Sequence, residues 1–233
     1  MAAAALVLAA GGALAAACGS DGESSPGSDG GGTGEGSILP SGDSSTPDDD
    51  HHDPLNGVDA GCPIKTAGPR SGTVATSVPR AGTTGIAWGT PENARNTEGQ
   101  FALTKLGLGE TSEHLRITDF GFTIPASATI KGVEVELKRQ ASDTGIGDGN
   151  IELWLDGAPS DRPKFLATAW PRLIVGTHHY GQAVDTWGND LTPALVGKPG
   201  FGVEIYALRL QDAGEAPLEA RVDSMRISIF YCE

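Results

Sequence analysis

"TIKGVEVELKRQ" spans residues 129–140. Val133, Val135 and Leu137 alternate along it with Glu134, Glu136 and Lys138. A period of two puts the first set on one face of an extended strand and the second on the other, the pattern of a strand with one side in a core and one in water. "NIELWLDG", residues 150–157, repeats it with Ile151, Leu153 and Leu155 against Glu152, Trp154 and Asp156. "FGVEIYAL", residues 201–208, sets Phe201, Val203 and Ile205 against Glu204 and Tyr206.

"GTVATSV" (72–78), "QFALTKL" (100–106), "HLRITDFGFTI" (114–124), "FLATAW" (165–170) and "EARVDSMRISIFYC" (219–232) are further strand candidates. Gly, Pro, Asn and Asp punctuate them, and no segment carries an amphipathic helix of several turns. About eight short strands at this spacing predict an all-β, antiparallel sandwich over residues 62–233. In the last candidate Val222 and Met225 are both apolar but differ in parity, which predicts a bulge near Asp223 and Ser224.

The order of "WGTPENARNTEGQFA", "LRITDFGFTIPASATIKGVEVELKR", "DGNIELWLDG", "TAWP", "YGQAVDTWGNDLTPALV", "FGVEIYA" and "ARVDSMRISIFY" resembles an uncharacterised β-sandwich domain of bacterial exported lipoproteins and of surface and phage-tail proteins. The resemblance covers most of residues 88–231. It implies a jelly-roll-like fold and carries no activity with it.

The first 61 residues have another character. "MAAAALVLAAGGALAAACGS" is an apolar, Ala-rich run ending in small residues and a cysteine, the pattern of an export leader over residues 1–17. "LAAAC" resembles the bacterial lipobox, which implies acylation of Cys18 and attachment to the outer membrane or cell surface. The alternative is an ordinary secretory leader cut near Ala17. Residues 18–61 are rich in Gly, Ser, Asp and Pro and poor in apolar side chains, so a disordered tether is expected there. Ten of the chain's 30 acidic residues and none of its 16 basic ones precede Cys62. The net charge of −14 is therefore mostly a property of the tail. The remainder, 20 acids against 16 bases, offers no basic footprint for a phosphate backbone, so nucleic acid is not an expected partner.

With Cys18 acylated, Cys62 and Cys232 remain as a pair bracketing the domain, and an oxidising compartment would favour a disulfide between them. Such a bridge would restrict the unfolded chain by about 5 kcal/mol in the entropic description. Two free thiols are the alternative.

Three stretches offer chemistry. "HHYGQAVDTWGND", residues 178–190, gathers His178, His179, Tyr180, Asp185 and Asp190, the residue types of a hydrolase or a metal-dependent enzyme. No Gly-x-Ser-x-Gly elbow accompanies them, and adjacent histidines on a strand face opposite ways. The expectation is an architectural cluster in which Trp187 packs the sandwich edge, with no catalytic residue. "DTGIGDGN", residues 143–150, offers Asp143, Asp148 and Asn150 as oxygen donors for Ca2+, against the plainer reading of a glycine-rich hairpin. No other cofactor is indicated. Trp154 and Tyr206 fall on the polar faces of their strands, where aromatic rings stack on sugars or anchor a protein. Otherwise a covering of loops makes Trp154 a second core residue.

These features together predict a surface-tethered lipoprotein presenting a non-catalytic binding module for a glycan or an envelope protein. The alternatives are a structural subunit of an extracellular or tail-like assembly, and an enzyme built on the His178 to Asp190 region.

Overall fold

The computed structural model describes residues 62–95, 99–160, 162–210 and 214–233. The leader, Cys18 and the tether lie outside the described residues.

Among the described residues nine strands form two antiparallel sheets. The first contains β1 (Lys65–Ser71), β9 (Leu218–Cys232), β5 (Thr129–Ala141) and β7 (Gly176–Gln182) in that order, with β3 (Ala102–Leu106) also paired to β9. The second runs β2 (Val74–Val78), β4 (His114–Thr118), β8 (Phe201–Arg209) and β6 (Ile146–Leu155). Odd-numbered strands build one sheet and even-numbered strands the other, so the chain changes sheets at every connection. This is the jelly-roll-like sandwich, and β7 with its HHYG sequence is one of its edge strands.

The alternating residues meet between the sheets. Val133, Val135 and Leu137 from β5 face Ile151, Leu153, Phe201, Val203 and Ile205 from the second sheet, and all are fully buried. Burying side chains of this size supplies roughly 1.5–3 kcal/mol each before the entropic cost of ordering them.

Register shifts on β9 and β6 reset the alternation. On β9, Lys138 pairs with Ser224 and Arg139 with Val222, which leaves Asp223 as the extra residue. Val222 and Met225 thus both reach the core. On β6, Asp148 pairs with Ala207 and Asn150 with Tyr206, so Gly149 is the extra residue there. Asp148 consequently turns inward although Asn150 faces out.

Several segments differ from the sequence pattern. "FLATAW" is not a strand, because Trp170 and Leu166 leave the edge of β6 to pack over Asp148. β1 and β7 are strands without an alternating apolar signature, being edge strands held by ladders to β9 and β5. "DTGIGDGN" is not a hairpin: it crosses from β5 in one sheet to β6 in the other. Thr192 caps α1 (Pro193–Val196) by accepting a bond from the Leu195 amide, as the Thr-Pro pair suits.

Gly149 is required by a close approach. A Cβ there would lie 1.8 Å from the Tyr206 ring. Gly149→Ala is therefore expected to destabilise the domain by about 1–3 kcal/mol in denaturant unfolding. Adding Tyr206→Ala to the same chain should recover part of that loss, since the ring that clashes is gone.

Candidate functional site

The outer face of the second sheet brings together most of the aromatic and charged side chains that the sequence placed on polar faces. Register aligns them in three rows across β2, β4, β8 and β6. Val74, Thr118, Gly202 and Trp154 make one row; Thr76, Arg116, Glu204 and Glu152 the next; Val78, His114, Tyr206 and Asn150 the third. Trp154 and Tyr206 thus share a face, four residue positions or about 13 Å apart along the strands.

Neither ring is bare. The Arg116 guanidinium carbon lies 3.3 Å from the Trp154 ring centroid, and that of Arg80 lies 3.6 Å from the Tyr206 centroid. His114 is tilted against Tyr206, with centroids 5.6 Å apart. Trp154 is half-buried by this layer, so it is neither a free platform nor a core residue.

Glu204 anchors the layer. Its carboxylate accepts Arg116 Nε at 2.7 Å and approaches His114 Nδ1 at 3.1 Å, and its side chain is only 2% exposed. Burial pulls its pKa upward, but the bonds from His114 and Arg116 outweigh that and hold it below the usual glutamate value. Glu152, directly opposite on β6, is shifted the other way: burial raises it, and the negative charge of Glu204 adds to the effect. Glu204 is thus committed to His114 and Arg116, and Arg116, bound through Nε, lies over the Trp154 ring.

The stretch 178–190 does not converge into an active site. His178 and His179 point to opposite faces of β7: His178 lies opposite Leu137, and His179 Nδ1 is 3.3 Å from Glu134. Burial, then the charge of Arg139, lowers the His178 pKa. Asp185 is bound to Lys164 at 2.7 Å and accepts the Trp187 amide at 2.8 Å. Those bonds hold its carboxyl low against the pull of burial. Asp190 is exposed. Trp187 is buried, donates Nε1 to the Val133 carbonyl at 3.0 Å, and fixes the loop to the sheet, as its architectural reading requires.

The Ca2+ donors are likewise separated. Asp143 is half exposed and paired with Arg172 at 2.8 Å. Asn150 bonds Glu152 on the outer face. Asp148 is in the core, because the Gly149 bulge inverts its side, and it accepts bonds from Trp170 Nε1 at 2.8 Å, Tyr180 OH at 2.7 Å and the Leu166 amide at 2.9 Å. Among the described residues no group of three His, Cys, Asp or Glu side chains is placed to hold a metal ion.

Asp148's fourth partner is Arg139, which the sequence reading passed over. Arg139 continues the inward series of Val133, Val135 and Leu137, is fully buried, and makes an ion pair with Asp148 across the sandwich. The rings of Trp170 and Tyr180 flank its guanidinium at 5.2 and 5.8 Å. Burial pushes the Tyr180 hydroxyl up to about 12, so it stays protonated as a donor to Asp148.

Cys62 and Cys232 meet at the end of the sandwich where β1 begins and β9 finishes. Both are free thiols here; Cys62 donates to the Glu233 carbonyl at 3.2 Å, and a hydrogen bond with Cys232 raises its pKa.

Comparison with protein-family models and with curated proteins found no match for the chain.

The opposed shifts of the two glutamates predict opposite pH effects. Glu204, depressed in the fold, contributes stability present above about pH 4.5 and lost as pH falls through its folded value. Glu152, raised in the fold, contributes stability that is present below about pH 4.5 and is lost as pH rises through its folded value. Thermal unfolding at neutral pH should show Glu152→Gln melting above the parent and Glu204→Gln below it. Both differences should shrink in acid, and equal melting temperatures at neutral pH would contradict the assignment.

Proposed function

We propose that this protein is an exported lipoprotein that displays a non-catalytic, glycan-binding sandwich. In this reading Cys18 carries the lipid, residues 18–61 are the tether, and the outer membrane or cell surface is the site of display. Attachment then rests on the lipid; among the described residues no helix is long and apolar enough to cross a membrane.

The observation that carries the binding role is the outer face of the second sheet. Two aromatic rings, one guanidinium group, a histidine and two carboxyl groups occupy three aligned rows, and the Arg80 guanidinium, from the segment after β2, lies over the Tyr206 ring. Arg116 and Arg80 offer planar donors for sugar hydroxyl or carboxylate oxygens, and the edges of Trp154 and Tyr206 offer apolar contact for ring C–H groups. The committed state of Glu204 and of Asp185 favours binding over hydrolysis.

Export also suits the cysteine pair. Oxidation of Cys62 and Cys232 joins the two sulfurs and passes two protons and two electrons to a thiol–disulfide oxidant of that compartment, closing the N-terminal end of the domain onto β9. Protein secreted into an oxidising compartment should resist thiol labelling at both positions until it is reduced, and free labelling without reduction would rule the bridge out.

A glycan array probed with the purified protein tests the binding role. Saturable binding that Trp154→Ala and Arg116→Ala abolish while the circular-dichroism spectrum is kept supports it. Chelator should leave that binding unchanged, because Asp143, Asp148 and Asn150 do not converge. No binding to any glycan refutes this reading and favours a protein partner or an assembly role.

A further inference from the structure

Beyond Tyr206 the outer face of the second sheet changes character. Alternation along β8 puts Leu208 on that face, two places or about 7 Å past Tyr206, and Leu208 pairs with Gly147 of β6. A cavity of about 160 Å³ opens there. Gly147 and Leu208 contribute strand residues to its lining, and Phe165, Ala167 and Leu210 come from the segments outside the two strands. A Cβ at Gly147 would stand 3.4 Å from Leu210 Cδ2, so the glycine keeps that part of the cavity open.

Both sides of the cavity are fixed by hydrogen bonds. One side is held by the ladder between β6 and β8. The other, the segment that carries Phe165 and Ala167, is tied to β6 at both ends. Lys164 and Ile151 exchange backbone bonds of 2.7 and 2.8 Å, and the Trp170 amide donates to the Ile146 carbonyl at 2.7 Å. Between them the Leu166 amide donates to Asp148 Oδ2 at 2.9 Å. A site held in this way is formed before any ligand arrives, which lowers the entropic cost of binding.

The lining identifies what would fill it. Asp148 borders the cavity, but its carboxylate is committed to Arg139, Trp170, Tyr180 and the Leu166 amide. What remains is chiefly apolar. Phe165 is 62% exposed and Leu210 38% exposed, so two large apolar side chains at the cavity stand in water that a ligand would displace. An apolar cavity of about 150 Å³ takes up one benzene ring, and this one has the volume for a group of that size. A rigid ring has no internal torsions to freeze on entry, and it packs on a phenylalanine by its edge or its face.

We propose that this cavity is a binding site for a single aromatic ring carried by a small molecule, with Phe165 and Leu210 as the apolar contacts that the ring covers. The site is distinct from the arginine-covered rows around Trp154 and does not depend on glycan binding by those rows.

Phenol titrated into the isotope-labelled full chain, followed by the amide NMR spectrum, tests this. Saturable shifts should centre on the amides of Gly147, Ala167, Thr168 and Leu210. Ala167→Leu, which fills the cavity, and Phe165→Ser, which removes one of its walls, should each weaken phenol binding by about tenfold or more. Ala167 and Phe165 are both exposed, so the variants should fold, and amide positions remote from the cavity check that they do. The absence of saturable shifts at these amides overturns the proposal, as does an affinity left unchanged in either variant.

Discussion

The two sheets are joined by a buried charge pair as well as by apolar packing. Arg139 extends from β5 in one sheet and Asp148 from β6 in the other, and both side chains are closed to water. An isolated charge in that position would be prohibitively costly, but Asp148 also accepts from Trp170, Tyr180 and Leu166. These donors fix three separate parts of the chain: the edge strand β7, the segment beyond β6, and β5 itself. The bulge at Gly149 is part of the same arrangement, since without the extra residue Asp148 would face outward.

That bulge also shapes the candidate binding face. Gly149 leaves room for the Tyr206 ring, and Asn150 resumes the outward series that leads through Glu152 to Trp154. One irregularity thus sends a carboxylate into the core and brings an aromatic ring down onto the sheet. The candidate binding face and the core network lie on the two sides of the same strand, and Tyr180 ties β7 to that network.

The alternation in residues 129–140 was enough to read a sandwich, and the parity conflict between Val222 and Met225 was enough to read the bulge at Asp223. The same alternation also contained Arg139, two places beyond Leu137, and its charge hid it among the polar residues. Placing Asp148 inside required knowing where the register slips, which glycines alone do not reveal: "GIGDGN" looks like a turn until Ala207 and Tyr206 are set opposite it. β1 and β7 were unreadable for a different reason. Edge strands take their conformation from the ladder beside them, and their own side chains need not alternate. The alternation put Trp154 and Tyr206 each on the polar face of its own strand; that they share one sheet face follows from the pairing of β6 with β8, and the arginines that cover them come from β4 and from the segment after β2, through contacts that no local pattern encodes.

Arg139 and Asp148 act as one unit holding the sheets in register. A double-mutant cycle in denaturant unfolding with Arg139→Met, Asp148→Leu and the pair tests this. Each single change should cost about 3–5 kcal/mol by stranding a buried charge, and the double change far less than the sum of the two. Additive losses, or single variants as stable as the parent, would contradict it.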